Sequence, residues 1–173
     1  MKSLYSFIVK PLNSRYDNKK QIGDKTLIVN TDISEHKFVS KKAVVVSTPT
    51  AFTTDIKQGD VVYIHHNVFR RWYDMRGEEK NSSSYFKDDL YFVSIDQIYM
   101  YNLKCNLNYC FVKPIKEDYI FSTSKEKKYY GVLKYSNRYL EKDGVSVGDL
   151  VIFTPASEFE FIVEGERLYC MKS

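Results

Sequence analysis

Apolar residues fall in short runs along this chain, and polar clusters rich in Gly, Asp, Asn, Ser and Pro separate them. Runs of this length with turn residues between them predict strands at 4–10, 43–48, 60–65, 90–95 and 97–101, then at 109–113, 130–135, 149–153, 158–163 and 167–171. No segment carries a sustained helical period. "FEFIVEGERLYCM" alternates as a hairpin turning at Glu164-Gly165, with Phe159 and Phe161 on one face and Glu158 and Glu160 on the other. In both "IKQGDVVYI" and "VSVGDLVIF" a glycine stands at a turn immediately before an apolar strand. The expected fold class is all-β.

The pattern also repeats. "FIVKP" returns as "CFVKP", so that Lys10-Pro11 recurs 103 residues on as Lys113-Pro114. Gly59-Asp60 recurs 89 residues on as Gly148-Asp149, and Leu90-Tyr91 recurs 78 residues on as Leu168-Tyr169. "AVVVST" at 43–48 lies opposite "GVLKYS" at 131–136, an offset of 88. Preserved order at four places implies two copies of one module, 1–104 and 105–173. The falling offsets locate the differences: the first copy carries 14 more residues between Pro11 and Gly59, and 11 more between Asp60 and Leu90. These insertions, about 13–42 and 66–88, are where a scaffold usually gains a function.

Composition narrows the function classes. With 43% hydrophobic and 28% charged residues, 15 tyrosines and 11 phenylalanines, the 173-residue chain reads as globular and strand-favouring. A net charge of +4 is too small to point to a polyanion. Cys105, Cys110 and Cys170 are odd in number and lack CxxC spacing, which suits a reducing compartment. The first residues do not read as a signal peptide, and no run approaches a membrane span, so the expected location is the cytoplasm.

The order of a strand ending in "VKP", a long loop, "AVVVS", "GDxVxI" and a closing pair of strands resembles the GroES family of co-chaperonins. Present twice, it resembles the tandem viral or phage type. The resemblance implies two small GroES-like β-barrels, the second shorter and ending before a counterpart of "IDQIYMY". It also implies a mobile loop at 13–42 and a homo-oligomeric ring, a heptamer in the family. Such a ring caps a GroEL-type chaperonin around a non-native client, with no catalytic residue, cofactor or metal. Leu27, Ile28 and Val29 in "TLIVNT" stand where the family's loop carries its chaperonin-binding aliphatic tripeptide. The plainer reading of those three residues is an ordinary strand.

Competing chemistry is concentrated in "HHNVFRRWYDMRGEEK" at 65–80. If the preceding strand continues, His65 and His66 point to opposite faces, and with His36 the only other histidine no metal site is expected. Arg70, Arg71, Trp72, Tyr73 and Arg76 could stack and pair with a nucleic-acid single strand. Glu78 and Glu79 beside them favour an exposed ribbon instead, so nucleic acid is not the expected partner. The chain has no phosphate-binding glycine loop, HExxH or GxSxG. An enzyme is not expected; the remaining alternative is a structural ring or connector of a virus particle.

Overall fold

The computed structural model describes residues 2–28, 32–33, 35–116, 126–154 and 159–173. The chain divides into two compact units, Met1–Asn102 and Leu103–Ser173. The first holds β1 (Phe7–Pro11), β2 (Lys19–Ile22), β3 (Lys25–Ile28), β4 (Lys42–Ser47), β5 (Val61–Ile64), β6 (Arg71–Tyr73), β7 (Glu79–Asn81), β8 (Tyr85–Lys87), β9 (Leu90–Val93) and β10 (Ile98–Tyr101). The second holds β11 (Lys104–Cys105), β12 (Tyr109–Lys116), β13 (Glu126–Tyr135), α1 (Arg138–Lys142), β14 (Leu150–Ile152), β15 (Phe159–Val163) and β16 (Glu166–Lys172). The protein is all-β.

The sheet of the first unit runs β10-β5-β4-β1-β9-β8, and that of the second runs β14-β13-β12-β16-β15. Their central pairings match residue for residue at the offsets read from the sequence. Val9 faces Val45 and Pro11 faces Ala43; Val112 faces Leu133 and Pro114 faces Gly131. Each of these ladders shifts register at the same point, between Ile8 and Val9 and between Phe111 and Val112. Phe7 faces Val93 as Cys110 faces Met171, and Lys42 faces Tyr63 as Tyr130 faces Ile152. The two units thus share one pattern of strand pairing.

The recurrent Gly-Asp is a turn that locks itself. Gly59 and Gly148 have φ of 90° and 100°, conformations that disfavour any side chain. The Asp60 carboxylate accepts from the Lys57 N–H at 2.8 Å, and the Asp149 carboxylate accepts from the Ser146 N–H at the same distance. The peptide on either side returns to the neighbouring strand: Gly59 N–H donates to Val45 O and Gly148 N–H to Leu133 O, both at 2.8 Å.

Among the described residues neither sheet closes into the expected barrel, because each keeps two end strands in its order. The second unit shows the reason most clearly. In the first, β10 covers β5, and Tyr63 is 6% exposed; in the second, no described strand covers β14, and Ile152 at the same register is 69% exposed. A short helix that the sequence reading lacked, α1, starts at Asn137. The buried Asn137 amide oxygen accepts from the N–H groups of Tyr139 and Leu140, while its NH2 donates to Tyr109 O at 2.9 Å.

The core of the first unit gathers Phe7, Val9, Ala43, Val45, Val62, Ile64, Phe69 and Tyr91; in the second, Val112, Leu133 and Met171 cluster, and Phe111, Phe161, Leu168 and Cys170 are buried as well. The three cysteines are free. Burial pushes the Cys105 thiol up to about 12 and Cys110 up to about 11, and raises Cys170 as well, so all three stay protonated and poorly nucleophilic at neutral pH.

Candidate functional site

The long insertion of the first unit leaves β1 and returns to β4 through a hydrogen-bonded stem. Leu12 N–H donates to Lys42 O, Ser40 N–H to Arg15 O and Asp17 N–H to Phe38 O, with distances of 3.1, 2.8 and 2.8 Å. Tyr16 and Val39 form a bridge in the middle of this stem. Beyond it the chain forms the β2–β3 hairpin, turning at Gly23-Asp24 with Lys19 facing Ile28, Lys20 facing Leu27 and Ile22 facing Lys25. "IGDK" was the available sequence signal for that turn.

Every residue of β3 is exposed, and the strand is held by its ladder to β2. Leu27 is 54% and Ile28 55% exposed, while Val29 lies outside the described residues. The loop expected at 13–42 therefore carries regular structure out to Ile28, and its aliphatic pair is presented on a strand. That arrangement suits docking onto an apolar surface, since part of the ordering cost is already met by the hairpin.

The second insertion folds as another hairpin, β6 with β7, in which Arg71 faces Asn81 and Tyr73 faces Glu79. Arg71 pairs with Glu79 at 2.8 Å, and Lys80 with Glu78 at 2.6 Å and Asp74 at 3.5 Å. Acidic partners thus occupy part of the basic set that could have faced a nucleic-acid strand. Trp72 and Tyr73 are exposed.

The two insertions are fastened together at their bases by Tyr16. Its buried hydroxyl donates to Ile33 O at 2.6 Å and accepts from the Arg71 N–H at 3.0 Å, and the Arg71 guanidinium lies 5.0 Å from the centre of its ring. Arg15, one residue before, donates to Phe69 O at 3.1 Å. Tyr16→Phe keeps the ring but strands two backbone groups, and is expected to cost about 1–3 kcal/mol. Urea unfolding measures that loss, and limited proteolysis is expected to show faster cutting in 13–42.

The histidines depart from the sequence expectation. Strand β5 ends at Ile64, and the chain turns at once into a 3-10 turn at His66–Val68, so the alternation of a continuing strand does not apply. The His65 and His66 rings stack with centres 4.4 Å apart, and His36, from the 3-10 turn His36–Phe38 of the long insertion, lies 5.4 Å from His66. Far from facing opposite ways, the three come together. Burial and the neighbouring His65, His36, Lys41 and Arg70 push His66 down to about 4; burial and Lys41 lower His65. Among the described residues no group of three or more His, Cys, Asp or Glu side chains is arranged to hold a metal ion.

No family model, curated protein or solved structure matches this chain. Its own two copies are therefore the comparison to hand, and they separate what is shared from what is added. The shared part is the sheet with its Gly-Asp turn. Among the described residues both hairpins, the Tyr16 fastening and the histidine trio belong to the first copy, and of the sequence-identified tripeptide Leu27 and Ile28 sit on β3 of that addition. In the second copy Glu166 bridges Lys113 at 2.5 Å and Lys134 at 3.3 Å, Glu160 meets Arg167 at 3.0 Å, and Glu158 lies outside the described residues.

Proposed function

We propose that the protein is a GroES-like co-chaperonin whose β2–β3 hairpin docks Leu27 and Ile28, continued by Val29, on the apical surface of a GroEL-type chaperonin. The observation that carries this reading is an exposed aliphatic pair on the second strand of an anchored hairpin, in the insertion where the resemblance puts the chaperonin-binding loop. In this reading a homo-oligomeric ring, of seven chains as in the family, closes the chamber over a non-native client in the cytoplasm. No helix among the described residues is long and apolar enough to cross a membrane.

Energetics favour many weak contacts over one strong one. Full burial of an aliphatic side chain contributes roughly 1.5–3 kcal/mol. Leu27 and Ile28 are already about half covered, so a single hairpin gains only part of that. Several copies on a ring raise the effective concentration of each later contact, which gives firm but reversible capping. The β14 edge, which no described strand covers, supports a multimer in this reading, because exposed edge strands with apolar residues tend to be covered.

The test replaces Leu27, Ile28 and Val29 together by serine. Described residues at these positions are exposed, so the melting temperature is expected to stay within a few degrees of wild type. Co-sedimentation with a chaperonin in the presence of nucleotide is expected to fall by a factor of 100 or more in apparent affinity, on the order of three lost contacts multiplied over a ring. Retained binding by a folded triple variant would remove the assignment of the site.

A further inference from the structure

The histidine trio lies where the returning limb of the long insertion meets the start of the second one. His36 comes from the turn just before Val39, the stem residue that bridges to Tyr16; His65 and His66 lead into the turn that carries Val68 and Phe69 into the core. Two cations bear on the His65 and His66 rings: Lys41, which precedes β4, acts on both, and Arg70 acts on His66. From β10, Tyr99 meets the His65 ring edge-on at 6.2 Å, and the His65 N–H donates to the carbonyl of Gln97, whose turn contains Asp96. Glu35 and Lys37 flank His36 in sequence. On the outgoing limb the carboxyl of Asp17, raised by burial, faces Lys41 and Lys42.

We propose that His36, His65 and His66, crowded by Lys41 and Arg70, form an acid-sensitive latch that holds the stem of the long insertion to the second insertion and releases it below neutral pH. At neutral pH His65 and His66 are uncharged and their rings stack, with the His36 ring tilted against His66. A proton on any of them adds a cation to a site that already holds two, at separations where like charges repel strongly in a partly buried setting. His65 and His66 bind protons less readily in the latched state than at their ordinary value of 6.5. The latch is therefore fully closed above that value and weakens as pH falls towards about 4, the direction required by depressed values. The inference does not depend on what the hairpin binds.

Amide hydrogen exchange of the intact chain tests it, using protection factors to divide out the intrinsic pH dependence. The reporters are Asp17 and Ser40, whose N–H groups close the stem, and Val39, whose N–H donates to His36 O in the adjoining turn. Between pH 7.5 and 5 their protection is expected to drop by about tenfold, allowing for half-exposed rings. Val45 and Leu133, in the shared sheets, are expected to change by less than about twofold over that range. In His36→Gln/His66→Gln, where His65 alone remains, the drop at the stem amides is expected to shrink to about threefold or less, with His36→Gln alone, at an exposed position, as the variant of lesser structural risk and intermediate effect. An equal drop in wild type and both variants, or no drop in wild type, would overturn the latch.

Discussion

Gly131→Val is expected to destabilise the protein by about 3 kcal/mol or more, read as a lower urea midpoint at unchanged slope. Gly131 lies in β13, opposite Pro114 in β12 and Val151 in β14, so it is paired on both sides. A Cβ at this position would sit 2.2 Å from Val112 Cγ1 and 2.8 Å from the Lys113 carbonyl oxygen. Val112 is fully buried and cannot swing aside, and the carbonyl belongs to the backbone of the neighbouring strand. Either the β12–β13 ladder separates or the core of the second unit shifts. The first copy supplies an internal control: Ala43 occupies the same register with its methyl group fully buried, so Ala43→Gly creates only a small void, with an expected cost of about 1 kcal/mol. A Gly131→Val midpoint within error of wild type would mean that β12 and β13 do not approach in the register described.

That register was written in the sequence, and the reason is physical. Lys-Pro, Gly-Asp and Leu-Tyr each mark a place where a strand stops, turns or meets its neighbour, so the spacing between them fixes which residues face one another. What depends on burial was legible; what depends on exposure was not. "KKQI" and "EKN" form strands β2 and β7 whose described side chains are exposed, and with nothing to bury they show no period of two, whereas the strand reading of the aliphatic triplet holds for Leu27 and Ile28 in β3. The histidine trio was missed because β5 was extended one step too far. The sequence held a hint in Asn67, whose N–H donates to the His65 ring nitrogen and turns the chain. The Tyr16 fastening joins residues 55 positions apart and left no local trace. At the proposed docking site the aliphatic pair was legible from position and composition, whereas the hairpin presenting it required the unread turn at Gly23-Asp24. Among the described residues β14 ends the second sheet uncovered, whereas β10 covers β5 in the first.

The largest loss is expected from Tyr91→Ala, about 3–5 kcal/mol. Tyr91 is fully buried although its counterpart in the second copy, Tyr169, at the same register opposite a valine of the first strand of its sheet, is only partly so. The difference is made by the insertions. Phe69 and Tyr85 from the second one pack edge-on against the Tyr91 ring at 4.8 and 5.5 Å, and the Arg15 guanidinium from the first lies 5.2 Å from its centre. Its hydroxyl donates to Asp89 at 3.0 Å, and burial raises its pKa well above the usual tyrosine value, so it stays protonated. Tyr169 instead reaches Glu126 and Arg167 at the surface, and Tyr169→Ala is expected to cost about 1–2 kcal/mol. The added segments are thus part of the first unit's core at their bases and free only at their tips. Removing the Tyr91 ring leaves a cavity under both bases at once, so the β2–β3 hairpin loses its anchorage along with the sheet's stability. Equilibrium unfolding of the two alanine variants, with limited proteolysis of 13–42 alongside, checks both parts of this expectation. Equal costs at the two tyrosines, with no added cutting in the Tyr91 variant, would show that the insertions hang from the sheet without packing on it. A hairpin hung in that way would be positioned by chain connectivity alone, and the rigid presentation of Leu27 and Ile28 on which the docking proposal relies would be lost.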